Sequence, residues 1–130
     1  MLKVLEMKWR PGSLAPAGSF AGQRVLVTGA TAGLGLAAAV HLVNLGAAEV
    51  IITARSVAKG QTAKAKIEAE TKTEGMGRVR VAELDMDNYA SIVSLVDQLR
   101  NDYSGSGGLD FVILNAGTHN PSFVQSPTGL

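Results

Sequence analysis

The apolar positions of this chain change period several times between residues 24 and 115, and each change marks an element. Val25, Leu26 and Val27 form a short unbroken apolar run that stops at Thr28, as a strand covered on both faces does. Residues 33–45 follow with helical spacing. They place Leu34, Ala37, Ala38, Leu42 and Leu45 on one side and then meet Gly46, a helix stop. "EVIITA", residues 49–54, predicts a second buried strand. Ser56 stands where an N-cap belongs, ahead of a polar helix that runs to about Glu74 and ends at "EGMG". "RVRVAELD" alternates and predicts a third strand. Asp87 or Asn88 then caps a helix with Tyr89, Ile92, Val93, Val96, Leu99 and Tyr103 at three- and four-residue steps. "SGSGG" reads as a loop and "LDFVILN" as a fourth strand.

The order β-α-β-α-β-α-β with short connections predicts an α/β fold, a Rossmann-type parallel sheet with helices on both faces that ends after its fourth strand. Right-handed crossovers with one reversal give the spatial order 3-2-1-4 and put a ligand over the carboxyl ends of strands 1 and 4. Residues 21–120 hold this half-domain. Residues 1–20 read as a loosely ordered N-terminal extension, and residues 121–130 as a C-terminal tail.

Composition narrows the class. At 130 residues, 46% hydrophobic and 18% charged, the chain is the size and polarity of one globular domain. Twelve Lys and Arg against eleven Asp and Glu leave a charge of +1, without the basic footprint that a nucleic-acid partner requires. The sequence has no cysteine, so thiolate metal ligands and a cysteine nucleophile are excluded; a cytoplasmic setting fits. Residues 25–48 carry no Asp, Glu, Lys or Arg and match the length of a membrane span. Four glycines, two threonines, His41 and Asn44 interrupt them, and no membrane association is expected. Glu6, Lys8, Arg10 and Pro11 likewise break any secretory signal. Trp9 gains no role, His41 reads as packed or surface-exposed, and His119 is a lone histidine with no metal set around it.

The chemistry is concentrated in "TGATAGLG", residues 28–35, between a strand and a helix. Gly29 allows the sharp turn, Gly33 lets backbone approach a pyrophosphate, and Gly35 lets the helix pack closely. The spacing is neither G-x-G-x-x-G nor a Walker loop with its lysine. It is T-G-x-x-x-G-x-G, and here the chain resembles the short-chain dehydrogenase/reductases. Three more motifs of that family follow in order: "TARS" at Thr53 to Ser56, "LD" at Leu84 and Asp85, and "NAG" at Asn115 to Gly117. The "TARS…KG" form is most similar to the retinol-dehydrogenase-like branch and to relatives in fungal secondary metabolism.

The resemblance implies a dinucleotide cofactor held by Thr28, Gly29, Gly33, Leu34 and Gly35, with Asp85 on the adenine amino group and Asn115 and Gly117 lining the pocket. Arg55 stands at the end of strand 2, where an NAD enzyme places a carboxylate on the ribose hydroxyls. A guanidinium there can grip the 2′-phosphate of NADP, with Lys59 one helical turn on as a second cation. A solvated arginine and an ordinary helix lysine are the alternatives, and Asp85 is also a candidate cap for the third helix.

The family's proton donor is a tyrosine with a lysine four residues later, and a serine orients the substrate carbonyl. Four residues after Tyr89 stands Val93, and four after Tyr103 stands Gly107. No catalytic residue is therefore assigned. The expectation is a truncated, catalytically inactive NADP-binding relative of ketone reductases and alcohol dehydrogenases. The alternatives are a fragment of an active NADP-dependent reductase and a non-enzymatic nucleotide-binding or interaction protein. The family's oligomer interface is missing, and the apolar fourth strand is left as an exposed edge open to self-association.

Overall fold

Four parallel strands, β1 (Arg24–Val27), β2 (Glu49–Ala54), β3 (Val79–Glu83) and β4 (Phe111–Ile113), form one sheet in a computed structural model whose described residues are 15–117, 122, 124 and 125. The order is β3-β2-β1-β4, as the alternating pattern predicts. Helices α1 (Gly33–Asn44), α2 (Val57–Thr71) and α3 (Tyr89–Asp102) connect the strands. The register pairs Val25 with Val50 and Phe111, and Ile52 with Val81. Trp9 and His119 lie outside the described residues.

Successive strand residues point to opposite faces, so the apolar runs divide into two cores. Val25, Val27, Val50, Ile52 and Val79 pack with Ala39, Leu42 and Val43 of α1 and with Ala63 and Ile67 of α2. Leu26, Ile51, Ala82 and Leu84 pack with Leu95 of α3. Phe20 joins the first core and meets Phe111 edge-on, ring centroids 5.5 Å apart.

The helices depart from their expected faces. In α1 the buried positions are Gly35, Ala39, Leu42 and Val43, whereas Leu34 is 84% exposed and Ala37 is also exposed. Alanines surround this helix and no charge marks its solvent side, so hydrophobicity leaves its rotation undetermined. In α3 only Leu95 is buried, with Ile92, Leu99 and Tyr103 packed against its cluster. Tyr89, Val93 and Val96 are exposed.

The helix ends differ too. Asn88, not Asp87, caps α3, its side chain accepting the Ala90 N–H at 3.0 Å. Ser56 holds the N-cap position of α2 without a side-chain cap bond. That helix stops at Thr71, short of Glu74. Lys72 takes the left-handed conformation (φ 56°) that a glycine usually supplies, and the Thr73 N–H donates to the Glu68 carbonyl at 2.9 Å.

At the amino ends of the strands a polar clamp closes the sheet. The Tyr103 hydroxyl donates to Glu49 Oε2 at 2.5 Å, and the guanidinium carbons of Arg24 and Arg80 lie 5.1 and 5.4 Å from its ring centroid. Arg80 also reaches Asp102 at 2.6 Å and Glu49 at 3.5 Å. Burial, and then the hydrogen bond and charge of Glu49, push the Tyr103 hydroxyl up to about 12.

Candidate functional site

At the opposite, carboxyl ends of the strands the chain leaves a cleft of about 320 Å³. All four strands contribute: Gly29 and Thr31 after β1, Thr53 to Arg55 at β2, Leu84 to Asp87 after β3, and Asn115 to Gly117 after β4. A topological switch between β1 and β4 is where an open parallel sheet binds its ligand.

The loop from β1 to α1 is held by the hydroxyl of Thr28, which is 4% exposed. Its Oγ1 accepts the N–H groups of Asn115 and Ala116, each at 3.0 Å. The Asn115 amide in turn donates to the carbonyls of Thr28 and Gly29 at 3.1 and 3.2 Å. One side chain from each partner thus ties the end of β1 to the end of β4. Gly29 cannot be replaced there: its φ is +66°, and a Cβ would stand 2.9 Å from the Ala116 Cα.

Gly35 serves the same junction. A Cβ at Gly35 would meet Asn115 Nδ2 at 2.5 Å and the Gly29 carbonyl at 2.6 Å. Its bareness therefore admits the Asn115 amide, in addition to letting α1 sit close. Gly33 differs, with φ +56° and open space around a Cβ. The N-cap of α1 is Ala32, whose methyl offers no cap bond, so the first-turn N–H groups face outward for an anion. This bare, unblocked cradle fits a dinucleotide pyrophosphate.

Of the residues predicted to hold cofactor, Gly29, Arg55, Asp85, Asn115 and Gly117 line the cleft. Thr28 lies buried beneath it as the tie. Gly33, Leu34 and Gly35 form the first turn of α1 beside the cleft rather than its wall, and the Leu34 side chain points to solvent. Lys59 is exposed and outside the lining. Arg55 is exposed and has no ion-pair partner among the described residues. Asp85 accepts the Asp87 N–H at 3.1 Å through Oδ1, and its own N–H donates to Ser91 Oγ at 2.9 Å. It shapes the turn before α3, and Asn88 does the capping.

Thr31, Thr53, Ala54, Leu84 and Ala116 line the cleft from within the four motifs without having been singled out for the cofactor, and Met86 lies just outside them. Each directly follows a strand or adjoins a motif residue, which is the signal that finds them in a parallel sheet. Among the described residues no cluster of His, Asp or Glu could hold a metal ion, and no helix is long and apolar enough to cross a membrane.

Comparison with known proteins agrees with this geometry. The chain is 40% identical over 114 residues to the short-chain dehydrogenase/reductase ffsI of Aspergillus flavipes, covering 88% of this chain and 32% of that protein. It is 42% identical over 92 residues to carbonyl reductase (NADPH) 1 of Pongo abelii, covering 71% and 30%. Among solved structures, L-sorbose reductase of Gluconobacter frateurii, complexed with NADPH and L-sorbose, superimposes with a TM-score of 0.66 at 25% identity, over 84% of this chain and 38% of that one. The chain thus spans about a third of the length of the relatives it matches. The family profile described as short chain dehydrogenase matches residues 23–128. With the loop, the strand order and these likenesses in agreement, the chain belongs to the short-chain dehydrogenase family.

Proposed function

We propose that residues 1–130 form an NADP(H)-binding unit derived from an enzyme that reduces ketones or oxidises secondary alcohols. The observation that carries this reading is Arg55, a cation with no ion-pair partner among the described residues, in the cleft wall at the end of β2. A carboxylate there would repel a 2′-phosphate; a guanidinium grips it with paired hydrogen bonds. The NADPH named for the sorbose reductase complex and for the carbonyl reductase supports the same choice. The setting in secondary metabolism that the "TARS…KG" resemblance implies belongs to this proposal, and the likeness to a protein of the fungus Aspergillus flavipes is in keeping with it.

The bound cofactor supplies a hydride. The chain's own residues would hold its pyrophosphate through the first turn of α1, which the bare turn at Gly29 brings into place, and its adenosine end through Arg55 and Asp85. The carbonyl oxygen gains negative charge as hydride arrives, and a positioned acid is commonly worth about 10²- to 10⁴-fold there. Asn115 has no proton to give at neutral pH, and neither tyrosine is followed by a lysine at the fourth place. This stretch therefore binds cofactor without turning over.

Fluorescence titration of the purified chain tests both statements. NADPH is expected to bind more tightly than NADH, and a panel of ketones is expected to cause no NADPH oxidation. Equal affinity for the two nucleotides, or ketone-dependent turnover lost on Gly33→Val, would overturn the reading.

A second reading rests on the open sheet edge. Phe111 and Val112 of β4 are 49% and 50% exposed and Leu114 is 80% exposed. We infer that this uncharged edge pairs with another copy of the chain.

A further inference from the structure

Thr53 is a hydroxyl in an apolar strand. Its neighbours Ile51, Ile52 and Ala54 are buried, and Thr53 itself is 2% exposed. A valine would fill the same space and keep the strand's pattern. The oxygen instead makes a specific bond, for Thr53 Oγ1 accepts the N–H of Gly29 at 3.2 Å. That N–H belongs to the first residue of the loop, held at φ +66°. From the other side, the Gly29 carbonyl accepts from Asn115 and the Thr28 hydroxyl accepts from the Asn115 and Ala116 N–H groups. The Gly29 unit is therefore gripped between β2 and the end of β4.

We propose that Thr53 is a positioning residue for nucleotide binding, acting through Gly29 rather than on the ligand. The proposal rests on the NADP(H)-binding reading above. By taking the Gly29 N–H, Thr53 satisfies that donor within the protein. The pyrophosphate is left to the N–H groups of the first turn of α1, which Ala32 leaves uncapped. Without the hydroxyl, the half-buried Gly29 N–H has no partner. The loop then rotates to find one, and the cradle is no longer formed before the ligand arrives.

Two measurements on the 130-residue chain test this, with Thr53→Val and Thr53→Ser as variants. In NADPH titrations, Thr53→Val is expected to weaken binding roughly tenfold, the scale of one lost buried acceptor, and Thr53→Ser to stay within about threefold of the parent. In ligand-free protein, amide exchange at Gly29 is expected to be slow in the parent and in Thr53→Ser. It becomes at least about tenfold faster in Thr53→Val, while Ile51 and Ile52 keep their protection. A purely packing role predicts faster exchange along all of β2 instead, and that result overturns the proposal. Unchanged NADPH affinity in a folded Thr53→Val does so as well. If Thr53→Val does not fold, an unprotected Gly29 amide in the parent overturns it, and a protected one retained in Thr53→Ser supports it. Should the parent bind neither NADPH nor NADH, the nucleotide reading fails, and Gly29 exchange still decides whether Thr53 fixes the loop.

Discussion

Arg55→Asp exchanges a guanidinium for a carboxylate in the cleft wall, at the place where ribose hydroxyls or a 2′-phosphate would lie. The charged hydrogen bonds lost are worth about 1.5–3 kcal/mol, so NADPH affinity should fall by roughly one to two orders of magnitude. NADH should hold or gain, because a carboxylate accepts ribose hydroxyls. Paired titrations read the ratio, and an unmoved ratio removes Arg55 from the site. The loop glycines separate by mechanism. Gly33→Ala adds a Cβ into open space at φ +56°, at a conformational cost of about 1–2 kcal/mol, and its methyl stands beside the first-turn N–H groups of α1. Gly35→Ala drives a Cβ against Asn115 and the Gly29 carbonyl, at about 1–3 kcal/mol or more for overpacking. Thermal melts should therefore show the larger loss for Gly35→Ala, with nucleotide binding impaired in both. A melt unchanged by Gly35→Ala would show that the Asn115 junction yields easily.

Among the elements, α3 is fastened most visibly at its C-terminal end, where Tyr103 meets Glu49, Arg24 and Arg80. The Tyr103 hydroxyl ionises near 12 in the fold, against an ordinary value of 10. A raised value means that this contribution is whole below pH 10 and is lost as pH climbs through 12. Urea unfolding of the parent and of Tyr103→Phe should differ most below pH 10, and the gap should close toward pH 12. A gap independent of pH would mean that ionisation of the Tyr103 hydroxyl is not linked to folding. The strands and their order were legible because period-2 and all-apolar runs need no knowledge of neighbours. The rotation of α1 was not, since Ala37, Ala38 and Ala39 are alike to a hydropathy pattern and only Asn115, 76 positions beyond Ala39, selects Gly35 for the inner face. In α3 the apolar residues were legible, but their spacing did not tell which face is covered: Leu95 is buried, whereas Val93 and Val96 are exposed. Within the site, the glycines and Arg55 could be read from spacing. Thr53 could not, because its role depends on the meeting of β2 with a loop 24 residues earlier.

At the scale of the whole sheet, its two edges among the described residues differ. β3 carries Arg80 and Glu83, charges of the kind that discourage edge pairing, while β4 offers only Phe111, Val112 and Ile113. Light scattering should therefore find a mass that rises with protein concentration, and Val112→Lys with Leu114→Lys should return it to that of a single chain. A parent that stays monomeric across the same range would remove β4 as an association surface. The junction of Thr28 with Asn115 and Ala116 joins that edge to the cradle, for the same bonds hold both. Whatever settles the cradle must settle the edge strand with it, so mass action on the folded form reaches the least covered part of the sheet. At a hundred times its dissociation constant a ligand adds about 2.7 kcal/mol to folding. On the proposed reading, NADPH should therefore shield β4 as well as the cradle, and limited proteolysis of the chain should slow when NADPH is added.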